Sequence, residues 1–169
     1  MSRLLGIDLG ERRVGLAIAE PGREPALAHV TIPRGPDLAS DAARLGAIVR
    51  EQRITELIVG LPLEASGAEG TMAAAARAWA EAVSRELAIP MRMRDERLTS
   101  HLAERRLGPM PRGRSGGPPS RTVRDRYRAR VDREAAAIIL QDELDARDEG
   151  SRVSDTPGAD SSRSLGPIK

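Results

Sequence analysis

Apolar positions along this chain follow two rhythms. Residues 4–9 form an apolar run broken only by Gly6 and Asp8, the pattern of a buried strand. A turn at Gly10-Glu11-Arg12-Arg13 separates it from a second apolar run at 14–19, close enough to pair as a hairpin. Residues 28–32 read as a third strand, stopped by Pro33 and Gly35-Pro36. The spacing then changes. Leu38, Ala42, Leu45, Ile48 and Val49 recur at helical intervals, which predicts a helix over 37–52 with Pro36 at its entry. A short buried strand follows at 56–60. A helix over 71–87 carries Met72, Ala76, Trp79 and Val83 on one stripe. Residues 89–93 read as a fifth strand, and 99–107 as a helix capped by Thr99 or Ser100. The last amphipathic segment is 131–146.

Early strands in a hairpin, then alternating helix and strand, predict an α/β fold: a central mixed five-stranded sheet flanked by helices. One domain over 1–148 is expected. Within it, residues 108–124 hold four glycines and four prolines among arginines, which reads as a mobile basic loop. Residues 149–169 are polar and without periodicity, and are expected to be a disordered tail.

Composition narrows the chemistry. The chain has no cysteine and only His29 and His101, so disulfides, thiolate zinc sites and multi-histidine metal sites are excluded. A metal would have to sit on oxygen ligands. No apolar run approaches the roughly 20 residues needed to span a bilayer, and Gly6 and Asp8 break any signal-peptide pattern. A cytoplasmic protein without a membrane partner is expected. Net charge is only +2, yet residues 105–133 contain ten arginines against Asp125 and Asp132. Such a block suits a polyanion. Lys169 is the sole lysine, so a general bias toward arginine also contributes.

Three acids stand out against this background. Asp8 lies inside an apolar strand, where an ionised carboxylate is costly unless a cation or donors compensate. An ion pair with Arg13 would be the structural explanation. Gly6 and Gly10 favour a functional one, because they leave room for a ligand to approach. Asp95-Glu96-Arg97 follows a strand end, where open α/β sheets place their sites, though an exposed loop triplet explains it equally. Asp132 opens the predicted last helix and shares a face with Ala135, Ala136 and Ile139. Stabilisation of the helix dipole would account for it alone. Together, three converging carboxylates need a cation, and hard oxygen ligands suit Mg²⁺ or Mn²⁺.

With these residues in view the chain resembles the YqgF (RuvX-type) family over about residues 3–145. The matching stretches are Gly6-Ile7-Asp8-Leu9-Gly10 with Val14-Gly15-Leu16-Ala17, Ile58-Val59-Gly60-Leu61-Pro62-Leu63, Asp95-Glu96-Arg97-Leu98-Thr99-Ser100, and Val131-Asp132 with Ala135-Ala136 and Ile138-Ile139-Leu140. The resemblance implies an RNase H-like fold. It implies a nuclease whose catalytic, metal-binding residues are Asp8, Glu96 and Asp132, with Asp95 as a candidate fourth acid and Mg²⁺ or Mn²⁺ as cofactor. It further implies a part in 5′-end maturation of pre-16S rRNA during ribosome biogenesis, or alternatively the resolution of Holliday junctions. The position two before the last aspartate is Arg130, where the family often has lysine.

Arg12, Arg13, Arg97, Arg112, Arg114 and Arg130 are the candidate phosphate contacts, which position nucleic acid without reading sequence. Trp79 is expected in the core. Tyr127 is then the sole candidate for stacking on a base. His101 reads as a helix-surface residue. The partners expected are pre-rRNA or branched DNA, with the chain a monomer or weak homodimer. A non-catalytic rRNA-binding assembly factor, and a nucleotide-binding phosphotransferase built on Asp8-Leu9-Gly10 with Gly15, are the competing classes. The second is disfavoured because the chain has room for one domain where such enzymes close two.

Overall fold

The computed structural model describes residues 2–154 apart from Arg114. Candidate phosphate contact Arg114 and tail residues 155–169 lie outside the described residues. Five strands and four helices follow in the order β1 (Leu4–Leu9), β2 (Arg13–Glu20), β3 (Arg23–Pro33), α1 (Leu38–Gln52), β4 (Glu56–Leu61), α2 (Thr71–Leu87), β5 (Met91–Asp95), α3 (Thr99–Leu107) and α4 (Arg121–Ser154).

The sheet order is β3-β2-β1-β4-β5. β1 and β2 form the expected hairpin, with Asp8 opposite Gly15 and Gly6 opposite Ala17. β2 pairs antiparallel with β3. β4 runs parallel to β1, and β5 parallel to β4. The sheet is therefore mixed and five-stranded, as the strand pattern requires.

Alternation along the strands gives the sheet two unlike faces. Leu5, Ile7, Val14, Leu16, Leu57 and Val59 point one way and pack on α1 and α2 through Leu45, Val49, Trp79 and Val83. The other face carries Gly6, Gly15, Ala17 and Ala19, and receives α4 through Ala136, Ala137, Ile139 and Leu140. Large side chains fill the first interface. Small ones let the helix backbone come close at the second. A Cβ built on Gly6 would lie 2.6 Å from the carbonyl of Ala136, and one on Gly15 only 2.0 Å from that of Asp132. A third cluster, Ala103, Tyr127, Val131, Ala135 and Ile138, joins α3 to α4.

Several boundaries differ from the sequence pattern, among them β5, which runs Met91–Asp95 rather than 89–93, so that Asp95 ends the strand instead of following it. β3 is eleven residues long rather than five. It is an edge strand, where Pro25 and Pro33 can be accommodated. Helix α3 has no side-chain cap, because Thr99 is already helical and Leu98 precedes it at φ 66°. The loop after α3 ends at Ser120, not 124, and α4 begins ten residues before the predicted start. The Ser120 hydroxyl accepts from the amide of Val123, a capping signal hidden among arginines. Tyr127 and Val131 then continue the apolar stripe toward Ala135. At the other end α4 runs on to Ser154, through the start of the segment expected to be a tail.

Candidate functional site

Asp8, Glu96 and Asp132 come together where the small-residue face of the sheet meets α4. Asp8 sits on β1, on the same face as Gly6 and opposite Gly15. Asp132 is brought there by α4, whose backbone rests on Gly15. Glu96 follows β5, its amide donating to the carbonyl of Leu61 at 3.1 Å. Its carboxylate lies over Gly60, whose missing side chain makes the space: a Cβ there would meet Glu96 Oε2 at 2.0 Å.

Asp8 and Glu96 form a tight acidic pair. Burial, then the charge of Asp132, pushes the Asp8 carboxyl up to about 7, while a hydrogen bond with Glu96 opposes the rise. Burial, then the charge of Asp8, pushes Glu96 up to about 8. The charge state of each carboxyl therefore affects the other. Glu96 Oε2 is buried and no donor reaches it. A buried oxygen with an unused lone pair is expensive to maintain. A cation would satisfy it.

Asp132 has a different partner. Its Oδ2 accepts a 2.6 Å hydrogen bond from Arg13 Nε, and both side chains are about one-quarter exposed (27% for Arg13, 23% for Asp132). The ion pair with Arg13 that would have been the structural explanation of Asp8 is made with Asp132 instead. Helix-dipole stabilisation of Asp132 is overturned too, since the residue lies eleven positions inside a continuous helix. Among the described residues, no three His, Cys, Asp or Glu side chains are gathered closely enough to cage an ion. Asp8 and Glu96 fit a hard cation, on the strength of the orphaned oxygen. Asp132 stands beside them with its carboxylate turned to the guanidinium.

The remaining sequence candidates divide. Asp95 does not join the acids. It is engaged by Arg97 through Nε at 2.8 Å and by the Arg97 amide at 2.9 Å, which holds its carboxyl below the usual range. Arg97 is correspondingly tied to Asp95, though partly exposed. Arg12, Arg112 and Arg130 are exposed. Arg121, Arg124, Arg126 and Arg128 are exposed as well, on the first turns of α4. Tyr127 is not available for stacking: it is buried, and its hydroxyl donates to the carbonyl of Gly108 at 2.7 Å. Trp79 is buried, as the stripe on α2 predicts, and His101 is exposed.

Two buried acids were not singled out by the sequence. Asp41, on the inner face of α1, accepts from Arg34 Nε, the amide of Gly35 and the indole of Trp79. Arg34 also donates to the carbonyl of Gly10 at 2.9 Å, which anchors the turn after Asp8. Glu143 on α4 receives Arg94 and Arg147, and Arg147 reaches on to Glu56 of β4. An acid inside an apolar helical stripe was the available signal for both.

The chain matches a known family over nearly the whole of its described length. A model described as "RuvX: Holliday junction resolvase" matches residues 2–146. The chain belongs to the RuvX family. Among its relatives is a protein of Anaeromyxobacter dehalogenans (strain 2CP-1 / ATCC BAA-258), provisionally named a pre-16S rRNA nuclease. It is 41% identical over 86% of this chain and 98% of its own length. A relative of the same name from Thermobifida fusca is 42% identical, over 83% and 86%. The RuvX-family chain also shares its fold with T. thermophilus RuvC, solved in complex with a Holliday junction substrate. That likeness has a TM-score of 0.50 at 16% identity, covering 87% of this chain and 96% of RuvC. The fold is accordingly RNase H-like. No described helix is long and apolar enough to cross a membrane.

Proposed function

We propose that this RuvX-family protein is a divalent-metal-dependent nuclease that hydrolyses phosphodiester bonds, acting in 5′-end maturation of pre-16S rRNA. The observation that carries the reading is the Asp8–Glu96 pair, with its buried, unpartnered Glu96 Oε2 held over bare Gly60. The names of relatives about 40% identical over nearly their whole length supply the substrate.

Asp8, Glu96 and Asp132 would hold Mg²⁺ or Mn²⁺. Bound there, the metal supplies activation of water and stabilisation of the leaving oxygen. The protein does the rest. Asp8 and Glu96 give up the proton that their burial and mutual repulsion retain. Gly6 and Gly15 let α4 lie close enough to the sheet to bring Asp132 to the other acids, and Gly60 leaves the space that the Glu96 carboxylate occupies. The exposed arginines of α4, together with Arg12 and Arg112, position the backbone of the nucleic acid by charge. With Tyr127 buried, binding depends on charge and shape rather than on stacking.

A second reading is Holliday-junction resolution, favoured by the family description and by the fold of RuvC. Symmetric cutting of a junction requires a two-fold dimer. One experiment separates the readings: a pre-16S 5′-leader RNA and a four-way DNA junction, each incubated with Mn²⁺ and either wild type or Glu96→Gln. RNA cleavage that Glu96→Gln reduces by at least about 100-fold is expected. Cutting of the junction alone would establish the resolvase. Binding of RNA with no cutting of either would make the protein an assembly factor.

A further inference from the structure

Arg13 occupies an unusual place for a phosphate-binding arginine. It leaves the first position of β2 on the face that meets α4, two residues before Gly15. Its guanidinium is committed to Asp132 Oδ2 at 2.6 Å. Beneath that contact the helix backbone has no freedom, because the carbonyl of Asp132 rests where a Cβ of Gly15 would be. Whatever Asp132 binds is therefore chosen by its side chain and not by movement of α4. Both partners are partly exposed, so the guanidinium has a route out to solvent.

We propose that Arg13 is a built-in stand-in cation: it neutralises Asp132 in the metal-free protein, yields the carboxylate to the metal, and then turns to a substrate phosphate. This deepens the nuclease reading and rests on it. Without a counter-charge, Asp132 would leave an unpaired negative charge beside the buried Asp8–Glu96 pair. The charge of Asp132 is felt at Asp8 even with Arg13 in place. A metal ion held by Asp8 and Glu96 would draw on the same carboxylate. A guanidinium suits the exchange, since it stays charged at all working pH values and binds carboxylate and phosphate with the same planar fork. Arg13 is thus a positioning residue that competes with the metal, which is the opposite of what a scaffold residue would do.

The test is calorimetric titration of Mn²⁺ into the full chain: wild type, Arg13→Ala, Arg13→Gln and Asp132→Asn. Removal of the competing cation is expected to tighten Mn²⁺ binding about fivefold, while Asp132→Asn weakens it. Arg13→Gln guards against loss of folding in the alanine variant. It keeps a donor but no charge, and should also bind Mn²⁺ more tightly than wild type. Equal or weaker binding in both Arg13 variants overturns the proposal. Wild type that takes up no Mn²⁺ defeats the nuclease reading along with it, whereas Mn²⁺ binding that needs Asp132 and ignores Arg13 defeats the proposal alone. The second half is read with RNA in Ca²⁺, so that no strand is cut. Arg13→Ala should lose most of the affinity that the metal adds and keep the metal-free affinity. Loss of both equally would show an ordinary phosphate contact and overturn the exchange.

Discussion

Glu96 and Asp8 are the candidate chemical pair at the scale of single side chains. Both carboxyls are held above their ordinary values by burial, with the charge of Asp132 adding to the rise at Asp8 and that of Asp8 to the rise at Glu96. In the metal-free folded protein they keep protons that the unfolded chain has already released. Folded states that bind more protons lose stability as pH rises. The loss begins near the ordinary carboxylate range around pH 4 and is complete above the folded values, near pH 8. Glu96→Gln removes one titrating partner. Thermal unfolding in chelator from pH 5 to pH 9 should show a shallower decline for the variant, which should be the more stable protein at pH 9 by about 1–3 kcal/mol. Parallel curves would mean that the pair is not buried together. Nearby, Gly60 tests how the pair is seated. A methyl at Gly60 collides chiefly with side-chain atoms, Glu96 Oε2 at 2.0 Å and Ile139 Cδ1 at 2.7 Å. Those atoms can rotate away, so Gly60→Ala should fold but misplace Glu96 and lose Mn²⁺ binding by calorimetry.

α4 sets the scale of elements. Its 34 residues span about 50 Å and serve three purposes in turn. The first turns expose arginines, the middle carries Asp132 and lies on glycine and alanine, and the later turns bring Glu143 and Arg147 to β4 and β5. The small-residue seat is what lets one helix do all of this. Gly15→Ala therefore has a consequence unlike that of Gly60→Ala. The added methyl meets backbone at 2.0 Å and 2.2 Å, and only displacement of α4 relieves it. Destabilisation of at least about 3 kcal/mol is expected in urea unfolding. A Gly15→Ala protein as stable as wild type would show that the helix does not sit on this glycine. The buried Asp41, which joins Arg34, Gly35 and Trp79, holds the opposite side of the sheet to the turn that follows Asp8.

For the whole molecule, charge is distributed unevenly around a neutral average. The candidate acids lie at the meeting of sheet and helix, while Arg12, Arg112 and a series of arginines on the first turns of α4, Arg130 among them, are exposed. Affinity for nucleic acid should fall steeply with salt, since each phosphate contact releases a counterion. Replacing Arg124 and Arg128 together by glutamine should lower the slope of log affinity against log salt by about 1.4 for single-stranded RNA. An unchanged slope in a filter-binding or fluorescence assay would remove this end of α4 from the interface.

Strand and helix order, the hairpin and the mixed five-stranded sheet were all written in local pattern, as was the candidacy of the three acids. Apolar runs, a change of period and a few glycines are properties of neighbouring residues, and neighbours are what a sequence records directly. The start of α4 was missed because a serine cap and a sparse apolar stripe are weak beside ten arginines and a run of Gly and Pro. Asp41 and Glu143 were missed because an acid in a helix declares its burial only once its partners arrive from other strands and helices. The identity of each acid's partner was likewise beyond local reading: Arg13 is near Asp8 in the chain, yet its guanidinium meets Asp132, 119 positions away. The sequence by itself determined which side chains could do chemistry and on which elements they would stand. Only tertiary packing decided that Asp8 and Glu96 would be buried beside each other, that Asp95 would be held apart by Arg97, and that Asp132 would face an arginine, because electrostatic partnership depends on distance through space, which the close seating of α4 on glycine sets.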